Sequence, residues 1–132
     1  MRPYPQAVEF PPDGATVSFD WRGIETPDPL TSCSDYKFPA GLPITLQLGR
    51  LQSTELSASS LIGDGKPIEH CAFDSHSYHN PNGDLQEYGR WALRSSGAIV
   101  LIPRKPLTRG AQYSVSIIAH GHSYAWKFKI AG

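Results

Sequence analysis

Histidine is the residue type in this chain whose spacing best suits a chemical role. Two of the five histidines form the pair His76-x-x-His79, and two others form the pair His120-x-His122. Neutral imidazoles joined by a carboxylate such as Asp74 are ligands for Zn²⁺ or Cu²⁺, so these side chains are a candidate metal site. Because nothing in the sequence brings the two pairs together, we favour the competing interpretation that they are solvated loop histidines.

The other patterns with chemical potential each have a structural explanation. Residues 80–84 (Asn-Pro-Asn-Gly-Asp) offer oxygen ligands for calcium, but they lack the spacing and closing glutamate of an EF-hand and are typical of a turn. His70 and Cys71 are neighbours that would point to opposite faces of a strand, which argues against a Cys–His dyad. We therefore expect no catalytic residues and no cofactor. Four carboxylates cluster in sequence in loop-like surroundings and are expected to be solvated: Asp20, Glu25, Asp28 and Asp35.

Aromatic side chains supply a second candidate site, because sugars stack on exposed aromatic faces. Trp126 alternates with polar residues in a strand pattern, and Trp21 shares a predicted strand face with Val17, so both tryptophans are expected in the core. A carbohydrate-binding surface is one alternative function. It would use the aromatic residues expected to reach solvent, which are Tyr78, Tyr88 and Trp91.

The two cysteines, Cys33 and Cys71, form no Cys-x-x-Cys motif, which excludes zinc-ribbon and thioredoxin patterns. We expect a disulfide that holds the proline-rich region 22–43, with two buried reduced thiols as the alternative. A disulfide favours an oxidising compartment, either extracellular or periplasmic. Residues 1–6 lack the apolar segment of a signal peptide, so the protein is either cytosolic or part of a longer secreted chain. We favour the second interpretation, in which residues 1–6 are a linker or an expression start. Residues 7–132 are then one domain of a longer exported chain.

Composition narrows the class of protein. Glycine and proline each occur 12 times in 132 residues, and this density of turn formers favours short strands over long helices. Lysine plus arginine and aspartate plus glutamate balance at 12 each, for a net charge of zero, which argues against nucleic acid as a partner. No apolar run reaches the length of a membrane span.

Alternating apolar and polar residues predict about seven to nine short strands and hence an all-β sandwich. The clearest element is a terminal hairpin, in which residues 112–119 and 123–130 alternate on either side of a tight turn at 120–122. Residues 74–90 are polar and rich in turn formers, so we predict a loop there, and no segment has convincing helical periodicity. The other predicted strands are residues 7–10, 16–21, 44–48, 51–61 (followed by a hairpin turn at 64–65), 91–93 and 98–102.

Several motifs resemble those of bacterial Ig-like domains. They are the opening residues 12–17 (Pro-Asp-Gly-Ala-Thr-Val), the corner 106–115 (Pro-Leu-Thr-Arg-Gly-Ala-Gln-Tyr-Ser-Val) and the last strand 124–129 (Tyr-Ala-Trp-Lys-Phe-Lys). The resemblance implies an Ig-like antiparallel β-sandwich, with Tyr113 as a core anchor whose hydroxyl caps a loop carbonyl. Residues 21–30 and 41–47 also resemble the segment that follows the CAP (cysteine-rich secretory/pathogenesis-related) domain of some bacterial secreted proteins.

We therefore expect a non-catalytic Ig-like accessory module that provides spacing, stabilisation or adhesion in a larger secreted or envelope bacterial protein. Its expected partners are a neighbouring domain of the same chain and a cell-surface glycan or protein. Two alternatives stay open: a carbohydrate-binding module that uses the loop aromatics, and a metal-binding domain that uses the paired histidines. Fold alone does not choose among them, because β-sandwiches have many functions.

Overall fold

Nine strands, one α-helix and one short 3₁₀ turn make up the part of the chain that the computed structural model describes, which is residues 7–18, 28–37, 39–49 and 54–132. The helix is α1 (Gly83–Ser96), and the 3₁₀ turn is Pro29–Ser32. The strands are β1 (Val8–Phe10), β2 (Thr16–Val17), β3 (Ile44–Gln47), β4 (Leu56–Gly63), β5 (Lys66–Pro67), β6 (His70–Phe73), β7 (Ala98–Pro103), β8 (Gln112–Ala119) and β9 (His122–Ile130).

The strands form two sheets that enclose a common core. The four-stranded sheet has the order β1-β3-β7-β6, and the five-stranded sheet has the order β2-β9-β8-β4-β5. Among the described strands, β2 and β9 pair in parallel and every other pair is antiparallel. The predicted all-β sandwich of seven to nine strands is confirmed.

The terminal hairpin follows the predicted alternation. Val115 of β8 and Trp126 and Phe128 of β9 point into the core, while their neighbours along each strand face outward. The turn uses His120 and Gly121, whose φ angles are both positive at 53° and 71°. This is the backbone that a two-residue hairpin loop requires, because it matches the twist of the flanking strands. The predicted core position of Trp126 is confirmed.

The core between the sheets is aliphatic and aromatic, with Leu101 of β7 among its fully buried members. Tyr113 stacks on Phe128 with ring centroids 5.6 Å apart, which confirms its predicted role as a core anchor. Its hydroxyl caps a loop amide rather than the predicted carbonyl, since it accepts a hydrogen bond from the N–H of Thr108 at 2.7 Å.

Helix α1 corrects two predictions. Residues 91–93, predicted as a strand, lie inside α1, and residues 83–90, predicted as part of a loop, form its first half. The helix begins after Asn82, whose side chain accepts a hydrogen bond from the N–H of Leu85, and ends at Gly97 in the left-handed conformation. Asparagine and glycine are favoured in turns and at helix ends alike, so local sequence does not separate the two. No helix of the described residues has the length and apolar composition that crossing a membrane requires.

Two predicted strands differ in their boundaries. β4 begins at Leu56, so it contains only the second half of the predicted strand 51–61, of which residues 51–53 lie outside the described residues. β2 contains Thr16 and Val17 of the predicted strand 16–21, whose residues 19–21 lie outside as well. The predictions for Trp21, Asp20 and Glu25 therefore fall outside the described part of the chain.

A disulfide and a helix cover the outer face of the four-stranded sheet. Cys33, which follows the 3₁₀ turn, is bonded to Cys71 of β6 with the Cα atoms 5.8 Å apart, so the predicted disulfide is confirmed. Leu93 of α1 packs against the same region. The apolar residues buried beneath the disulfide and the helix form a second cluster: Cys33, Ala40, Phe73, Tyr78, Val100 and Ile102.

Candidate functional site

The outer face of α1 presents two of the three aromatic side chains predicted to stack a ligand. Tyr88 and Trp91 are each 54% exposed. Residues three apart on a helix share a face, and these two rings have centroids 5.9 Å apart with planes inclined by 25°. We call them the aromatic pair.

Three contacts hold the opposite side of α1 against the domain. Gly89 lies so close to Tyr78 that a Cβ at this glycine would be 2.5 Å from Cε2 of the ring. Arg90 Nε donates to the carbonyl of Tyr78 at 2.8 Å, and Gln86 Oε1 accepts from the N–H of Asn80 at 3.0 Å. Because these residues face the domain, the aromatic pair faces solvent.

Tyr78 itself is not part of that surface, and the prediction that it reaches solvent is wrong. Its side chain is 2% exposed. The hydroxyl donates to the carbonyl of Asp28 at 2.9 Å and accepts from the side-chain amide of Asn80 at 3.0 Å. The hydroxyl of Thr31 lies 3.3 Å away. Tyr78 therefore links the segment around the 3₁₀ turn to the chain between β6 and α1.

Asp74 ties the two sheets together at the end of β6. Its Oδ2 accepts from the N–H of Leu56 at the start of β4 (2.9 Å), and its Oδ1 accepts from the N–H groups of His76 (2.8 Å) and Ser77 (3.0 Å). Burial raises the pKa of Asp74, but these three bonds and one from the Ser77 hydroxyl together hold it below its ordinary value. The carboxylate oxygens are thus engaged in structural hydrogen bonds.

The paired histidines are exposed and lie in two separate places. His76 and His79 lie between β6 and α1, while His120 lies in the turn between β8 and β9 and His122 is the first residue of β9. Within the part of the chain that the structure describes, no group of three or more histidine, cysteine, aspartate and glutamate side chains is close enough to hold a metal ion. The four candidate ligands are therefore not assembled into a metal site.

His70 and Cys71 have separate structural roles. Cys71 is bonded to Cys33, so its sulfur is not a free thiol. His70 Nδ1 lies 2.9 Å from the carbonyl of Ile68, and Nε2 lies 2.9 Å from the hydroxyl of Ser59. Because a carbonyl only accepts hydrogen bonds, Nδ1 donates to Ile68, while Nε2 shares a hydrogen bond with the hydroxyl of Ser59. His70 thereby joins β6 to β4.

The side-chain oxygens that were considered as calcium ligands accept backbone hydrogen bonds at the start of α1. Asn80 Oδ1 accepts from the N–H of Asn82 at 2.9 Å, and Asn82 Oδ1 accepts from the N–H of Leu85 at 3.0 Å. Asp28 has a similar role at the 3₁₀ turn, where its Oδ1 accepts from the N–H of Leu30 at 3.0 Å.

Sequence reasoning missed the helix that carries the aromatic pair, although a signal was present. Leu85, Gly89 and Leu93 recur every four residues, which is the spacing of one helix face. Asn82 and Gly97 are favoured residues at the two ends of a helix. The signal is weak because glycine is the middle member of the apolar series.

Comparisons with known proteins add no assignment. No family model matches the chain, and no curated protein matches it. The geometry of the domain alone therefore supports the functional proposals.

Proposed function

We propose that this domain is a non-catalytic Ig-like module that acts as a spacer and adhesion domain within a larger exported protein. The strand order supports the Ig-like assignment. Lettered in chain order, with β1 and β2 as two halves of strand A, the sheets read A-B-E-D and A′-G-F-C-C′, as in Ig domains. Tyr113 adds a second Ig feature, because a tyrosine near the start of strand F bonds to the backbone a few residues upstream, here at Thr108.

The positions of the first and last strands support the spacer role. β1 begins with Val8 opposite Gln47, the last residue of β3. β9 ends beside the start of β8, where Lys129 lies opposite Gln112. Residues 104–111 connect the end of β7 to the start of β8, so these two strand ends lie at the same end of the sandwich. The end of β7 in turn pairs with the start of β3. The start of β1 and the end of β9 thus lie at opposite ends of the sandwich, as a spacer in a row of domains requires.

The Cys33–Cys71 disulfide supports an extracellular or periplasmic location, since most cytosols keep thiols reduced. The test is fractionation of cells that express the complete parent gene, followed by alkylation without reductant and mass spectrometry. We expect the protein in the exported fraction, with both cysteines unlabelled and a protease-resistant fragment that contains residues 7–132. A cytosolic protein with two labelled thiols would contradict the proposal.

The aromatic pair favours a second candidate function, carbohydrate binding. Tyr88 and Trp91 are exposed and adjacent, and the flat apolar faces of linked sugar rings can lie across two neighbouring aromatic rings. An adhesion module that contacts a cell-surface glycan would use such a surface. This function is compatible with the spacer role because α1 lies on the side of the sandwich.

Calorimetric titration with chitin and cellulose oligosaccharides tests this second function. We expect Tyr88→Ala and Trp91→Ala each to weaken binding about tenfold, which corresponds to roughly 1.4 kcal/mol of lost contact energy. Phe10→Ala is the matched control, since Phe10 is 44% exposed on β1, away from α1. The absence of saturable binding to any oligosaccharide, or equal losses in all three variants, would contradict a role for the aromatic pair.

A further inference from the structure

The aromatic pair on α1 has charged residues of opposite sign at its two ends. Glu87 lies four residues before Trp91 and Arg94 lies three residues after it, so both are neighbours of the indole on the helix surface. Asp84 has the same relation to Tyr88, four residues later. All three charged residues are exposed. The two rings therefore lie between a carboxylate end and a guanidinium end of one helix face.

The charges at the two ends of the pair are available to a ligand. Within the described residues, neither Glu87 nor Arg94 takes part in an ion pair or a side-chain hydrogen bond. Asp84 and Arg94 also complement the helix dipole, as an acidic residue in the first turn and a basic residue in the last. Glu87 lies in the second turn, beyond the range of that effect, so helix stability does not account for its charge.

Aromatic rings and carboxylates together attract a cation. The face of a tryptophan or tyrosine ring attracts a cation that lies within about 6 Å of the ring centroid, and quaternary ammonium groups are recognised in this way. The centroids of Tyr88 and Trp91 are 5.9 Å apart, so a cation above the pair lies within that range of both rings. Glu87 and Asp84 supply the opposite charge beside it.

Arg94 selects an anion that is attached to the cation. A guanidinium binds a phosphate through two parallel hydrogen bonds. The helix rises about 4.5 Å from Trp91 to Arg94, at roughly 1.5 Å per residue. In phosphocholine the ammonium nitrogen and the phosphorus are four bonds apart, which is a reach of about 5 Å for bonds of roughly 1.5 Å. A phosphocholine whose ammonium lies on the rings therefore places its phosphate within reach of Arg94.

We infer that the aromatic pair, with Glu87 and Arg94 at its ends, binds a phosphocholine group that is carried by a cell-surface glycan. The quaternary ammonium contacts the rings of Tyr88 and Trp91 beside the carboxylate of Glu87, and the phosphate accepts hydrogen bonds from Arg94. The inference rests on the proposed adhesion function and names the group on the glycan that the module recognises.

The composition of this face favours a glycan over a lipid bilayer as the carrier of the phosphocholine. A helix that lies on a membrane has a broad apolar face and a polar face rich in lysine and arginine. The exposed face of α1 has two large aromatic residues, Tyr88 and Trp91, beside the carboxylates of Asp84 and Glu87. This face suits a single small group better than the surface of a bilayer.

Amide NMR titration of the domain with phosphocholine tests the site. We expect saturable shifts within α1 and unchanged resonances in β8 and β9. Choline lacks the phosphate and phosphoethanolamine lacks the methyl groups, so we expect each to bind about fivefold more weakly than phosphocholine. Equal affinities for the three ligands, or shifts that do not saturate in α1, would overturn the site.

Two charge variants separate the two ends of the site. Glu87→Gln removes the carboxylate beside the ammonium, so it should weaken choline and phosphocholine alike by about threefold. Arg94→Gln removes the partner of the phosphate, so it should weaken phosphocholine by about fivefold and should not weaken choline. Equal losses of both ligands in Arg94→Gln would overturn the contact between Arg94 and the phosphate.

Asp64→Asn is the matched control for the loss of a surface carboxylate. Asp64 is exposed in the turn between β4 and β5, in the sheet that α1 does not cover. We expect this variant to bind choline and phosphocholine as the wild type does. Equal effects of Asp64→Asn and Glu87→Gln would overturn the role of Glu87. A cooperative thermal transition in each variant is the control for folding.

Two carriers of phosphocholine test the glycan as its source. Soluble dextran substituted with phosphocholine represents the glycan, with unsubstituted dextran as its control, and phosphatidylcholine vesicles represent a lipid surface. We expect the domain to bind the substituted dextran and not to sediment with the vesicles. Sedimentation with the vesicles without binding to the substituted dextran would overturn the glycan as the partner.

The uncharged oligosaccharides distinguish this inference from the carbohydrate-binding function. Chitin or cellulose oligosaccharides that bind at Tyr88 and Trp91, with no binding of phosphocholine, would overturn the inference and leave carbohydrate binding standing. Binding of phosphocholine without binding of these oligosaccharides would support the inference and contradict the stacking of sugar rings. The absence of shifts in α1 with every ligand would overturn both.

Discussion

The two outer faces of the sandwich differ in what covers them. The four-stranded sheet is covered by α1 and by the segment that the Cys33–Cys71 disulfide holds. The outer face of the five-stranded sheet has no such cover among the described residues, and it carries a depression of about 320 Å³. Its lining includes Ser60, Ser114, Ser116, Ala125 and Lys127.

The burial of β7 in the four-stranded sheet differs from that of β8 in the five-stranded sheet. All six residues of β7 are buried, since Ile99 and Leu101 face the core while Val100 and Ile102 face the second cluster. In β8 buried residues alternate with partly or fully exposed ones. A continuous apolar strand thus marks a sheet covered on both faces, and strict alternation marks a sheet covered on one. The following variants test this difference between the two faces, from the largest expected loss of unfolding free energy to the smallest.

Loss of the disulfide should have the largest effect and should act on the covered face. The chain-entropy model gives about 4 kcal/mol for a loop with a separation of 38 residues, so we expect Cys33→Ala/Cys71→Ala to lower the free energy of unfolding by about that amount. Denaturant unfolding measures the loss, and hydrogen exchange locates it. Amides of α1 should lose protection while those of β8 and β9 keep theirs. Uniform loss across both sheets would contradict the local role of the disulfide.

Asp74 lies where the covered sheet meets the open one, and its replacement should have the next largest effect. Asp74→Asn weakens the bonds to the N–H groups of Leu56, His76 and Ser77, for which we expect a loss of about 3 kcal/mol at neutral pH. Because the folded-state pKa of Asp74 lies below its ordinary 3.8, the ionised form stabilises the fold above that pH.

This contribution is lost as the pH falls through the folded-state pKa of Asp74. The difference in unfolding free energy between wild type and Asp74→Asn should therefore shrink on acidification below pH 3.8. Denaturant unfolding at a series of pH values measures it. A difference that stays constant or grows toward acid pH would show that the carboxylate is not the stabilising group.

Tyr78→Phe tests the hydrogen bonds beneath the cover while it retains the ring. The variant removes one of the two donors to the carbonyl of Asp28, which keeps its bond from the Thr31 hydroxyl, and it leaves the buried amide of Asn80 without its acceptor. We expect a loss of about 2 kcal/mol in unfolding free energy, measured by thermal or denaturant unfolding. A loss below about 0.5 kcal/mol would indicate that water replaces the hydroxyl.

A matched pair of threonine substitutions compares the two faces directly and has the smallest effects. Val100→Thr places a hydroxyl in the second cluster, where Val100 is 8% exposed, and should cost about 1.5 kcal/mol. Ser116→Thr adds a methyl group on the open face and should change stability by less than about 0.5 kcal/mol. Equal effects at the two positions would mean that the outer faces are similarly covered. Denaturant unfolding of both variants under one condition decides the comparison.

The hairpin of β8 and β9 shows how much of the fold local pattern can predict. The alternation along 112–130 placed Val115, Trp126 and Phe128 inside, and the two-residue turn matched its sequence. The Cys33–Cys71 bond was predicted as well, from a proline-rich region that needs an anchor. Of the proposed stacking residues, Tyr88 and Trp91 are exposed as expected. That they share a helix face was not predicted.

Patterns of neighbouring residues predict most strands of this protein, because the direction of each side chain alternates along a strand and this period is local. The cover over the four-stranded sheet has a different origin. The hydroxyl of the buried Tyr78 donates to the carbonyl of Asp28, 50 residues earlier in the chain. Because Gly89 has no side chain, α1 can lie directly against the Tyr78 ring. Such contacts join residues that are far apart in sequence. Tertiary packing therefore decided what the weak local signal left open for residues 83–96, and it buried Tyr78 while Tyr88 and Trp91 face solvent.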